Sequence, residues 1–413
     1  MTTPDLYPVS LRLLGRPVLL VGGGRVAGRR ARALLDAGAV VTVVAPHAGD
    51  DVARLAAGGL LTWVPRPYRA TDLDGAWFVQ TATGIDAVDR AVAADADARR
   101  IWCVNASDAE ASAAWTPAVA RAGDVTIAVN AGGDPRRASV LRDAVRLALE
   151  TGRLPLRRRR RTPGTCGRVA LVGGGPGEGG LITVRGRQLL ATADVVVADR
   201  LGPRELLEDL EPGVRVIEVG KAPGNHLVGQ DEINAILVRE ARAGHLVVRL
   251  KGGDPYVLGR GGEEARSCRD HGIDVEVVPG VTSAVSVPAA AGIPVTHRGT
   301  ATGFTVVTGH EDLADLPARP DHTLVLLMGV RRLARTAALL RSRGLGPGTP
   351  VAVVERGWMP DQRVTIGTLE TIAAQAERTG VRNPAVIVVG DVVRLSPYAP
   401  PVLHETPKEH IHD

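Results

Sequence analysis

Short apolar runs alternate with stretches of helical periodicity along most of this 413-residue chain. Residues 17–21 (PVLLV) form a strand-length apolar run, and a glycine cluster then leads into a helical pattern over 29–37 that Gly38 ends. Further strand-length runs stand at 40–44, 60–64, 77–81, 101–104 and 125–129, with a helical pattern over 87–99. Strands alternating with helices predict a parallel sheet, here of Rossmann type. An amphipathic helix is expected over 137–150. Residues 151–167 then lose all periodicity amid Gly, Pro and consecutive arginines at 157–161, and read as a linker. Alternation resumes at 169–172 and runs to 386–389. Small residues take over at 279–294 (PGVTSAVSVPAAAGIP), which marks a junction between lobes of about 168–280 and 281–400. The expected fold is therefore α/β: an N-terminal Rossmann-type parallel sheet in residues 1–150, then a two-lobed α/β domain over 168–400 and a polar tail, 401–413.

Composition narrows this picture. The length exceeds what one ordinary core needs, and 3% aromatic content leaves Val, Leu and Ala to build the cores. No run approaches about 18 uninterrupted apolar residues, and the start (MTTPDLYPVS) has no leader-like pattern. A cytoplasmic location without membrane attachment is expected. Cys103, Cys166 and Cys268 are too dispersed for a disulfide framework or a zinc spacing, and His297, His310, His322, His404, His410 and His412 show no ligand spacing, so no metal site is expected. A net charge of +5 fits an acidic substrate without identifying one. The arginine run lacks interleaved aromatics and reads as a solvated linker, so no nucleic-acid partner is expected. All but three of the 50 basic side chains are arginine, yet Lys221 and Lys251 both stand inside glycine-rich motifs. Lysine is a compact ammonium whose pKa can fall on burial.

The first candidate site is the strand-to-helix turn Gly22-x-Gly24-x-x-Ala27. Its glycines permit a tight turn, and free N–H groups at the helix start suit a pyrophosphate. The acidic residue that commonly ends the second strand is missing, because that strand leads to Ala45, Pro46 and His47. NAD and NADP are therefore not separated by these residues.

The second is the run 247–264, VVRLKGGDPYVLGRGGEE, in which an apolar strand meets glycines, an aspartate and then Glu263 and Glu264 at a helix start. Glycines at a strand end let backbone approach a ligand closely. With VGGGPGE (172–178), DVVVADRL (194–201), VGKAPGNH (219–226), QDEIN, VPGVTSA, GIPVTHRG, LLMGV and VAVVERG in one order, the run resembles the uroporphyrinogen-III C-methyltransferases of the tetrapyrrole methylase family. The resemblance implies Asp199 as proton acceptor and Lys221 as proton donor. It also implies S-adenosyl-L-methionine contacts at Pro176, Gly252, Gly253, Asp254, Val257, Thr282, Ser283, Met328 and Gly357. The substrate would be uroporphyrinogen III, whose ring of carboxylates suits arginine, and Arg298 is the candidate.

Residues 6–149, through LLGRPVLLVGGGRVAGRRARALLDAGAVVTVVAP, RRIWCVNASDAEASAAWTPAV and VTIAVNAGGDPRRA, resemble the precorrin-2 dehydrogenase/sirohydrochlorin ferrochelatase module of sirohaem synthases. That resemblance implies NAD held near Gly22, Gly24, Arg25, Val26, Pro46 and His47, precorrin-2 as substrate, ferrous iron as a further substrate, and Asp108 for proton transfer, with Ser107 the alternative register. It also implies a homodimer. In the family the stretch matching Asn130-Ala131-Gly132-Gly133 usually carries serines, and here one helix with an arginine-rich linker replaces its helical dimerisation region. Two readings remain at this level: a methyltransferase fused to a working dehydrogenase, or a methyltransferase whose Rossmann unit is a remnant or regulator.

Overall fold

The protein is described here by a computed structural model covering residues 6–154, 166–199, 202–220, 228–309 and 319–404. It divides into two compact units, Met1–Arg146 and Leu147–Asp413. Lys221, His310, the tail beyond His404 and most of the expected linker lie outside the described residues.

The first unit runs β1 (Pro17–Val21), α1 (Arg25–Asp36), β2 (Val40–Val44), α2 (Asp50–Ala57), β3 (Thr62–Val64), β4 (Phe78–Thr81), α3 (Asp86–Ala98) and β5 (Trp102–Asn105). The strands pair in parallel in the order β3-β2-β1-β4-β5. Alternate residues supply opposite faces: Val18, Leu20, Val41 and Val43 enter one core, and Leu19, Val21, Val44, Val79 and Cys103 the other. Burial on both faces is why these strands read as unbroken apolar runs. One strand is placed differently from expectation. β7 (Val125–Val129) does not join the parallel sheet but forms an antiparallel hairpin with β6 (Ala118–Ala122). The two-residue turn begins at Gly123 with φ +59°, the glycine-first geometry that closes a tight hairpin. The helix α4 (Pro135–Glu150) follows.

In the second unit, the first lobe comprises β8 (Arg168–Gly173), α5 (Val184–Thr192), β9 (Val195–Ala198), α6 (Glu205–Glu208), β10 (Arg215–Glu218), α7 (Gln230–Arg242), β11 (Leu246–Lys251), α8 (Gly261–Asp270) and β12 (Asp274–Val278). Its five strands are all parallel, ordered β10-β9-β11-β8-β12. Val169, Leu171, Val195, Val197 and Val247 pack with α7 and α8 on one face, and Ala170, Val172, Val196, Val248 and Leu250 pack with α5 on the other.

The second lobe comprises α9 (Ser283–Ala290), β13 (Gly303–Thr308), β14 (His322–Leu327), α10 (Leu333–Ser342), β15 (Pro350–Glu355), β16 (Arg363–Thr368), α11 (Ile372–Arg378), β17 (Ala385–Val389) and α12 (Pro401–His404). Its sheet, β13-β14-β17-β15-β16, is mixed, because β17 runs against both neighbours. The expected α/β class and the Rossmann-type first sheet are both observed.

Candidate functional site

In the first unit, Gly22 leaves β1 with φ +122°, and a Cβ there would run into the carbonyl of Ala82. Gly23 lies against the His47 carbonyl, and Gly49 N–H donates to Gly23 O at 2.8 Å, so the turn that carries Arg25 and Val26 is packed on the loop carrying Pro46 and His47. Gly24 is the N-cap of α1 in extended backbone, with open space around it and no side-chain cap on the helix. The first turn holds no acidic residue. Uncapped N–H groups, a positive helix end and room above Gly24 fit a dinucleotide pyrophosphate.

Beside this turn, the exits of β4 and β5 are tied together by Asp89, which is fully buried on α3. Its carboxylate accepts from the Thr81 hydroxyl, from Thr83 Oγ1 at 2.7 Å and N at 3.2 Å, and from Ser107 Oγ at 3.2 Å. Arg30 on α1 donates to Thr81 O at 3.2 Å. Burial, and then the nearby Arg29, lower the Arg30 pKa. Ser107 points inward to this cluster. Asp108, half-buried, accepts from the backbone N–H groups of Glu110 and Ala111 at 3.0 and 3.2 Å, an Asx turn that holds its carboxylate at the sheet's C-terminal edge.

In the second unit, the loops leaving β8, β11 and β12 meet backbone to backbone. Gly175 and Gly253 exchange hydrogen bonds, N to O, at 3.2 and 2.7 Å. Gly253 has φ +65°, and a Cβ there would sit 3.0 Å from Ser283 Oγ. Asp254 accepts from Tyr256 N at 2.8 Å and Gly280 N at 3.0 Å, so both carboxylate oxygens brace the loop. Thr282 caps α9 by accepting from Ala284 N at 3.3 Å. Pro176 lies in the β8 exit and Gly252 and Val257 in the β11 exit. Gly357 leaves β15 so close to α9 that a Cβ would meet Val287 at 2.8 Å, and the neighbouring Trp358 Nε1 donates to Ser286 O at 2.6 Å. Met359 packs on Gly177, which brings the second lobe onto the first. Met328 is exposed at the β14 exit with φ +59°. Left-handed Leu258, Arg260, Met328, Arg356 and Trp358 all stand at these strand exits. Such strain concentrates where a ligand dictates backbone shape. Glycine-rich strand exits of this kind suit a ligand held through backbone and shape, as S-adenosyl-L-methionine would be.

Asp199 stands at the exit of β9, its side chain 30% exposed, and accepts from Arg249 Nη2 at 2.6 Å. Strand periodicity puts 247, 249 and 251 on the face covered by α7 and α8. Arg249 is 2% exposed there and donates through Nε to Glu264 Oε1 at 3.0 Å. Lys251 Nζ donates to the same oxygen at 3.1 Å, and Gln230 Nε2 lies 3.3 Å from it. Burial, and then repulsion from Arg249, lower the Lys251 pKa against the pull of Glu264 and Asp199. Arg249 escaped the sequence reading, although a charged residue inside an apolar strand is itself a signal. Arg298 is exposed on the tight turn 297–301, which hydrogen bonds between His297 and Ala301 close. Among the described residues, no three or more His, Cys, Asp or Glu side chains gather in a metal-holding group.

Comparison with known proteins follows the same division. Residues 168–373 match the family model for tetrapyrrole (corrin/porphyrin) methylases, and 9–118 match an NAD(P)-binding family. A siroheme synthase of Gluconacetobacter diazotrophicus is 39% identical, covering 98% of this chain and 99% of its own. The chain belongs to the siroheme synthase family. That alignment spans 467 positions, so this siroheme synthase carries several tens of residues that the present chain lacks. An S-adenosyl-L-methionine-dependent uroporphyrinogen III methyltransferase of Methanosarcina barkeri is 50% identical over 56% of this chain and 94% of its own. A solved uroporphyrin III C-methyl transferase from Thermus thermophilus is 45% identical over 55% of this chain and all of its own, at a TM-score of 0.49.

Proposed function

We propose that the chain methylates uroporphyrinogen III to precorrin-2 with S-adenosyl-L-methionine in residues 168–400, and oxidises precorrin-2 to sirohydrochlorin with NAD in residues 1–150. The carrying observation is that one chain, similar to siroheme synthases over nearly its full length, holds both an uncapped glycine turn at a helix start and glycine-rich strand exits beside an arginine-paired aspartate.

When bound, S-adenosyl-L-methionine supplies an electrophilic methyl, and NAD accepts a hydride. The chain's own residues align, shape and move protons. The loops around Pro176, Gly252–Asp254, Val257, Thr282–Ser283, Met328 and Gly357 would hold the methyl donor through backbone and shape, which explains why glycine dominates them. Asp254 contributes by bracing the loop from within. After a pyrrole carbon has attacked, a proton must leave the ring, and Asp199 is the carboxylate proposed to take it. Lys221 is proposed as proton donor on its motif alone. In the Rossmann unit, Gly22, Gly24, Arg25, Val26, Pro46 and His47 would hold NAD, and Asp108 would move the proton. Ferrous iron is proposed as a third substrate at the same edge, with the ring nitrogens as its ligands. Three unpaired cysteines, two of them buried, support a cytoplasmic location. A homodimer is proposed from the exposed Val140, Leu141 and Val145 on α4, with sedimentation as the test.

An anaerobic assay with uroporphyrinogen III and S-adenosyl-L-methionine, NAD withheld and then added, tests the sequence of steps. Precorrin-2 should accumulate first and turn into sirohydrochlorin once NAD arrives. Accumulation that ignores NAD would leave the Rossmann unit as a remnant or regulator. Absence of methyl transfer would overturn the reading.

A further inference from the structure

The charged groups behind Asp199 form a chain that ends inside the protein. Asp199 is its only partly exposed member, Arg249 bridges inward, and Glu264 closes it with Lys251 bound to the same oxygen. Glu264 is fully buried, and its Oε2 has no hydrogen-bond partner among the described residues. Its contacts among the described residues all fall on Oε1, so Glu264 is shared between two cations rather than committed to one. With every group ionised, the four charges cancel. Removing any one leaves an unbalanced charge in a low-dielectric site, where it acts strongly on its neighbours.

We infer that Lys251 and Glu264 are positioning residues for methyl transfer: as a charge-balanced pair they hold Arg249 toward Asp199 and set the pH dependence of proton removal at that carboxylate. Both are buried, and Arg249 is the link from Glu264 to Asp199, so both act through Arg249. Lysine at 251 supports this role, since it is one of only three lysines in the chain and its Nζ is buried against Glu264 Oε1 at 3.1 Å. Among the described residues the neighbouring charges are few. Gln230 on α7 is neutral, and Arg260, Glu263 and Asp231 lie at the rim of the same helix pair, Arg260 and Glu263 being paired with each other at 2.7 Å. Cys268, one turn along α8 from Glu264, is pushed up to about 11 by burial and by that carboxylate, and so stays a neutral thiol. The inference rests on the reading of Asp199 as proton acceptor.

The test is the pH profile of methyl transfer for the full chain, anaerobic and without NAD, in Lys251→Met, Glu264→Gln and the double variant. Loss of the lysine charge should move the acid limb up by about one pH unit, and loss of the glutamate charge should move it down by about as much. The double variant, again balanced, should return to the parent profile. Lower rates on an unmoved profile in both single variants would overturn the inference, as would shifts in one direction. Folding is followed alongside by thermal unfolding. If a single variant fails to fold while the double variant folds, the pair is shown to balance itself. If the double variant also fails, the pair is no balanced unit and the inference falls. Asp199→Asn separates the premise from the inference. Should that variant still transfer methyl groups, the reading of Asp199 is wrong, whatever the unfolding data say about Lys251 and Glu264.

Discussion

Each unit buries a carboxylate beside its glycine-rich turns, and the two are solved with different chemistry. Asp89 meets three hydroxyls and one backbone N–H, whereas Glu264 meets an arginine, a lysine and a glutamine amide, all at Oε1. Asp89 ties two strand exits together. Glu264 instead restrains two cations, one of which, Arg249, reaches Asp199. The cofactor cradles differ in parallel. The first is an uncapped helix end over an open glycine, suited to an anion. The second is a set of glycine-rich strand exits packed backbone on backbone, suited to a ligand recognised by shape. A helix dipole would gain nothing from a sulfonium, which carries the wrong charge.

The comparison breaks most sharply at Asp199. Asp199→Asn should lower methyl transfer by about a thousandfold, while precorrin-2 supplied directly is still oxidised with NAD. Equal loss of both activities would mean that the substitution damages the chain as a whole. Next come the buried carboxylates. Glu264→Gln should cost about 3–5 kcal/mol of unfolding free energy, because it strands buried cations. Asp89→Asn should cost about 1–3 kcal/mol, because hydroxyl donors can turn to other acceptors. Denaturant titration reads both, and a larger cost at Asp89 would reverse the contrast. Smaller effects are expected at the glycines. Gly253→Ala should weaken S-adenosyl-L-methionine binding about tenfold or more, given its positive φ and the contact with Ser283. Gly24→Ala meets no protein atom and should leave the thermal midpoint unchanged while weakening NAD. Calorimetric titration with each ligand distinguishes the two.

The smallest effect is a pH slope. A lysine whose folded-state pKa is depressed binds fewer protons folded than unfolded in the window up to its ordinary value of 10.5. Stability therefore rises with pH through that window, and the cost of burying the cation is fully present below it. Lys251→Met removes this contribution. The parent should gain stability relative to the variant as pH climbs toward 10.5, and parallel curves would deny that Lys251 titrates with folding.

Strands and turns were legible because their causes are local. The runs at 17–21 and 40–44 are strands to the residue, and Gly22, Gly24 and Gly253 stand where a turn needs room or a positive φ. The hairpin at 118–129 was half legible: the second strand showed in its β-branched run, but AVARA offers too weak a pattern to announce its partner. Asp254 illustrates another limit. Its place in GGDP marks a ligand loop, yet whether the carboxylate faces the ligand or the loop is decided by Gly280, brought in by a different strand.

By itself, then, the sequence determined the α/β class, the two glycine-rich sites and the residue types at each, since periodicity and backbone freedom are properties of neighbours in the chain. The tertiary structure alone decided what the buried charges meet. Arg249 takes partners 50 residues before it and 15 after it, because parallel pairing sets β9 beside β11 while α8 covers the face that 249 and 251 share. Desolvation makes that meeting obligatory: an arginine closed inside a sheet must find carboxylates there, and only the packing of helix on strand determines which ones are within reach.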